Sequence, residues 1–139
     1  MKILNAKVIP LLQLLRSLDG SEKGLPDGRV IKEPYRFASG KVYLDIALNQ
    51  NRLASQAEAI EKARVAIIKS LLPEGETELK PDRHQPQMAE FVRQYQAVLD
   101  EEADIDLRTM KASDLNLDAN PISPTILAAL GETVLDLTQ

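Results

Sequence analysis

Cysteine and tryptophan are absent from the 139 residues, and histidine occurs once. Without cysteine there can be no disulfide, no thiolate nucleophile and no cysteine-ligated metal. Aromatic residues make up only 4%. A β-sandwich or a base-stacking platform carries more, so the composition leans towards helix. No apolar run reaches the roughly 18 residues of a membrane span. Excess positive charge is lacking too: 17 Lys and Arg stand against 21 Asp and Glu, for a net charge of −4. That argues against a nucleic-acid polymer as partner, which needs clustered cations. It leaves room for a small phosphorylated ligand held by a few arginines.

Enzyme signatures are missing as well. There is no glycine-rich phosphate loop, no GxSxG elbow and no HExxH. Any triad would depend on His84, which stands in a polar loop between Arg83 and Gln85 and reads as a solvated side chain. The opening stretch MKILNAKVIPLLQLLRSLDG is broken by Asn5, Lys7 and Pro10, and reads as a short helix rather than a signal peptide.

What is present is one long periodic run from Glu33 to Leu72. Apolar residues fall at three- and four-residue steps, the pattern of an amphipathic helix about 57 Å long if it covers roughly 38 residues. Pro34 suits its first turn, and Pro73 and Gly75 end it. Gly40 weakens the early turns or permits a kink. The expected stripe is Phe37, Leu44, Ala47, Leu48, Asn51, Ala57, Ile60, Arg64, Ile67, Ile68 and Leu71. Asn51 and Arg64 on such a seam are of the kind that sets register or oligomer state.

Around this spine the remaining elements are shorter. Met1 to Leu4 reads as a strand, Asn5 as the N-cap of a helix with Val8, Leu11, Leu12, Leu15 and Leu18 on one face. DGSEKGLPDG is a loop, and Arg29 to Lys32 a brief extended piece. PQMAEFVRQYQAVLDEE forms a second helix antiparallel to the first. Ile105 and Leu107 alternate with charged residues in a strand that pairs with Met1–Leu4. Ser123 and Pro124 open a last short helix, stopped by Gly131, with VLDLTQ as a tail. The expected fold is therefore mainly α within the α+β class: a long helical hairpin, a minimal two-stranded sheet and short terminal helices. We read it as one domain over 1–139, with the strand, helix and loop at 1–32, the hairpin at 33–102 and the strand and last helix at 103–139.

Two groups of residues carry chemistry. Asp100, Glu101, Glu102, Asp104 and Asp106 are close in sequence and could converge on a hard cation, or simply face solvent. No metal and no cofactor is expected. Tyr35, Arg36, Lys41 and Tyr43, with Arg52 one helical stretch later, are the candidate ligand-binding residues. Tyrosine faces with arginines nearby suit a nucleotide, and a helix N-terminus adds donors for an anion. The plain alternative is that Tyr43 and Phe37 are core, and that the charges are solvated or pair with Asp45, Glu58 and Glu61.

The segments ALNQNRLASQAEAIEKARVAIIKSL, FVRQYQAVLDEEADIDLRTMKASDL and NPISPTILAAL resemble a group of small bacteriophage and prophage proteins with no assigned function. The resemblance transfers no functional residue. It implies a viral origin and action in the host cytoplasm. With it, the expected role is that of a non-enzymatic counter-defence protein, a homo-oligomer that neutralises a host component. Most concretely, it would sequester a cyclic nucleotide in pockets between subunits. A virion-assembly chaperone or other protein-interaction module is the alternative, and a metal-dependent enzyme built on the acidic cluster a third reading.

Overall fold

A computed structural model describes residues 1–138. Its elements follow the order β1 (Lys2–Leu4), α1 (Asn5–Arg16), β2 (Ser21–Gly24), β3 (Val30–Glu33), α2 (Gly40–Leu71), α3 (Gln85–Leu99), β4 (Glu102–Asp104), β5 (Met110–Lys111), α4 (Pro124–Leu130) and β6 (Leu135–Asp136). Single turns of 3₁₀ helix follow α1 at Ser17–Asp19 and β5 at Ala112–Leu115. The fold is mainly helical α+β, with α2 and α3 as an antiparallel hairpin.

The long helix starts later than its sequence pattern suggests. Glu33 closes β3, and Pro34 to Ala38 run without helical bonding up to the Ser39 N-cap. Tertiary bonds take the backbone groups that a helix would have used. Arg36 N–H donates to Asn120 Oδ1 at 2.8 Å, and Ala38 N–H to the Asp114 carbonyl at 3.2 Å. A buried polar backbone must pair somewhere, and here it pairs across the chain. Gly40 thus becomes the first residue of α2, and no kink arises from it.

The apolar stripe also differs from expectation. Val42, Asp45, Ile46, Asn49, Leu53 and Ile60 are the buried positions, and Ala57, Arg64, Ile67 and Leu71 continue their line half-buried. Leu44 is 54% exposed, and Ala47 and Asn51 also face solvent. At 100° per residue, the early half of the expected stripe lies opposite its late half, so one straight helix cannot bury both. Helix α1 settles the choice by packing Val8, Leu11, Leu12 and Leu15 against the Val42–Leu53 face.

The pairing of β1 with β4 is antiparallel, with Lys2 opposite Asp104 and Leu4 opposite Glu102. Instead of one small sheet, the described residues form three two-stranded ones. β2 and β3 form an exposed hairpin, Ser21 opposite Glu33 and Gly24 opposite Val30. β5 and β6 pair in parallel, so the tail docks through Val134 and Leu135. The core gathers α1, the first two-thirds of α2 and the segments carrying Ile105, Met110, Leu115, Ile122 and Leu130. The end of α2 and α3 hold no fully buried described residue, and α3 meets the core only through Tyr95 and Leu99 among its apolar side chains.

Candidate functional site

The extended segment 34–38 positions the site. Gly20, which turns the chain out of α1, has φ +156°, and a Cβ there would sit 2.4 Å from the Glu33 carbonyl oxygen. Only glycine permits that approach. It brings the base of the β2–β3 hairpin against the end of α1, with Tyr35 buried between them. Asn120 then fixes the next residue. Its amide accepts from Arg36 N–H and donates to the Arg36 carbonyl at 2.9 Å, as a paired strand would. Asn116 donates to the same carbonyl at 2.9 Å.

Tyr43, in the first turn of α2, ties that segment to the helix. Its hydroxyl donates to the Tyr35 carbonyl at 2.8 Å and accepts from Phe37 N–H at 2.9 Å. The rings of Tyr35 and Phe37 lie 6.0 Å apart, those of Phe37 and Tyr43 5.1 Å, each pair edge to face. Edge-to-face contacts of this kind are stabilising and hold ring orientation.

Tyr35 is the hub of three clefts. The first, about 350 Å³, is lined by Tyr35, Phe37, Tyr43, Asp19 and Gln50 with apolar neighbours. The second, also about 350 Å³, adds Arg36, Ser21, Glu33 and Asn120. The third, about 480 Å³, has Arg16 and Lys32 with Ser17, Ser21 and Glu22.

The structure therefore brings Tyr35 and Tyr43 together and sets Arg36 on the far side of Tyr35. Lys41 and Arg52 line none of these clefts. Lys41 Nζ lies 2.5 Å from the buried Asp45 carboxylate. Arg52 donates to the Asp106 carbonyl at 2.5 Å and lies 3.5 Å from its carboxylate. Each of these clefts is lined by residues of one chain. Arg16 and Lys32 were outside the sequence-based candidate set. They stand in different elements, and only the hairpin turn at Gly28 brings them to one cleft.

The other sequence candidates serve as structural ties. His84 is buried, not solvated, and its Nδ1 accepts from Lys80 N–H at 2.9 Å. Asp104 receives the N-terminal ammonium at 3.2 Å, Asp100 accepts from Gln96, and Asp106 faces Arg52. Among the described residues, no three His, Asp or Glu side chains gather where a metal could be shared. Asn5 lies inside the helix it was expected to cap, where it donates to the Val98 carbonyl at 2.9 Å and accepts from Gln56 at 3.0 Å.

Comparisons with protein families, with curated proteins and with solved structures find no match to this chain. No described helix is long and apolar enough to cross a membrane.

Proposed function

We propose that this is a non-enzymatic binding protein that holds a small phosphorylated ligand beside Tyr35, with Arg16, Lys32 and Arg36 as its anion-binding residues. The observation that carries this reading is the state of those three cations. Among the described residues none of them is in an ion pair, whereas Lys41 and Arg52 are. The hydroxyls of Ser17 and Ser21 line the same cleft as Arg16 and Lys32. Glu22 stands in that cleft too, and Glu33 in the second cleft beside Arg36, which disfavours a densely charged triphosphate and favours a phosphodiester, with one negative charge per phosphate. A cyclic nucleotide meets that condition. In the setting implied by the resemblance to phage proteins, the role is sequestration of a host signal by a homo-oligomer in the host cytoplasm. Incubation with cyclic nucleotides should deplete one of them, and heating should release it intact. Arg16→Gln with Lys32→Gln should abolish the depletion. Release of a changed product would mean catalysis and overturn the reading.

A second reading is favoured by a different observation. The hairpin of α3 and the end of α2 carries Ile67, Ile68, Leu71, Leu72, Phe91 and Val98 only half-buried, and Val92 is 59% exposed. Such a face suits a protein-interaction module, including an assembly chaperone. Co-purification with a protein partner, and no retained small molecule, would support it.

A further inference from the structure

We infer that the first cleft is a separate site for a compact organic cation bearing N–H groups, an alkylguanidinium or alkylammonium. It stands apart from the phosphate reading, because it uses a different cleft of opposite sign. No lysine or arginine lines it, and Asp19 contributes its one charge. Asp19 forms no ion pair among the described residues; its Oδ1 accepts only from Gln50 Nε2, at 2.8 Å.

The hydrogen-bonding groups point the same way. Gln50 Nε2 donates to the Leu15 carbonyl at 2.9 Å as well as to Asp19, so both of its hydrogens are used. The Tyr43 hydroxyl has already donated its hydrogen to Tyr35. Side-chain acceptors remain, on Asp19 and on Gln50 Oε1, while the Tyr35 hydroxyl is the one side-chain donor with no partner among the described residues. A ligand rich in donors fits; one rich in acceptors does not.

The aromatic wall completes the argument. Adjacent rings meet at 63° and 60°, so no parallel pair is present to sandwich a flat base. Aromatic rings attract a cation through their electron-rich faces, which a compact ligand can meet one ring at a time. A carboxylate at the rim adds charge-assisted hydrogen bonds for an N–H cation.

The test uses the full chain and four probes: n-butylguanidinium, n-butylammonium, the neutral n-butylurea, and inorganic phosphate. Ring resonances of Phe37 and Tyr43 are followed by NMR. The two cations should shift them saturably, more weakly as salt rises, and butylurea and phosphate should not. Asp19→Asn keeps an oxygen to accept from Gln50 and removes only the charge. It should weaken cation binding by about tenfold. Phe37→Leu, which keeps bulk but loses the ring, should weaken it by about threefold or more. Equal binding of butylurea, or no effect of Asp19→Asn, would overturn the cation assignment while leaving the cleft a ligand site. No shift with any probe, in a protein whose spectrum is that of the folded chain, would overturn the site itself.

Discussion

Two buried asparagines, Asn49 and Asn120, do the work of strand neighbours for chain that has none, and a third, Asn5, ties down the end of α3. Asn49 accepts from Arg108 N–H at 2.7 Å and donates to the Arg108 carbonyl at 2.9 Å, just as Asn120 brackets Arg36. An amide is suited to this because it offers an acceptor and donors side by side. Asn49→Leu keeps the volume but strips both partners from the Arg108 backbone. The expected loss is about 2–4 kcal/mol, since a buried group left unpaired costs about 1–3 kcal/mol, and urea unfolding would measure it. Asn120→Ala should cost a similar amount and should also displace Arg36, so ligand depletion would fall with stability. None of this was legible in the sequence. An asparagine on an apolar stripe reads as a flaw or a register device, and its partners lie 59 and 84 residues away. Asn51 drew attention because it fell on the expected stripe; Asn49, two positions earlier, is the one that is buried.

At the scale of elements, what could be read from sequence depended on how local the deciding forces are. The last short helix opened where expected because its cap is local: Ser123 Oγ accepts from Thr125 N–H and Pro124 stands at its first turn. A strand pairing with β1 was expected at the alternating Ile105 and Leu107, but β4 is Glu102–Asp104, just ahead of them, and the alternating residues themselves lie outside any strand. β2 was not, because Ser-Glu-Lys-Gly buries neither face and leaves no period to read. The phase of α2 needed knowledge of which face α1 covers. That assignment is testable. Leu44→Glu, on the exposed side, should change stability by no more than about 0.5 kcal/mol. Leu53→Ala, with its side chain fully enclosed, should cost about 2–5 kcal/mol. Comparable losses at both would contradict the packing of α1 on α2. On α3 the Arg93 guanidinium, together with the Gln94 amide, holds the Glu90 carboxyl down from 4.5 to about 2. A depressed carboxyl pKa stabilises the fold above its unfolded value and loses that contribution as pH falls through the folded one. The Glu90–Arg93 contribution is thus complete above pH 4.5 and disappears towards pH 2. In Arg93→Gln, NMR titration of Glu90 should show its midpoint return towards 4.5.

At the scale of the whole molecule, burial is distributed unevenly. The N-terminal part of α2 is covered by α1 and by the segments that follow α3, and it holds nearly all of the helix's buried positions. Beyond Ile60 no described residue of the helix is fully buried, and its other helical partner, α3, is itself at best half-buried. Two helices side by side cannot enclose a stripe about 100° wide on each, so the residues between them stay half-wet. Phe91 and Tyr95 stack on each other at 5.5 Å, yet both remain partly open to solvent. Association of two such hairpins into a four-helix arrangement would cover both faces at once, which is the simplest closed symmetry available to a single chain type. Light scattering should accordingly give twice the 15.4 kDa chain mass or a higher even multiple. Val92→Lys puts a charge on the exposed side of α3 without removing any buried contact. It should shift the particle to the monomer mass while leaving the helical circular-dichroism signal and the thermal midpoint at low concentration unchanged. A wild-type protein that stays monomeric at hundreds of micromolar would show that the hairpin tolerates its half-exposed seam, and that its cover, if any, comes from another molecule.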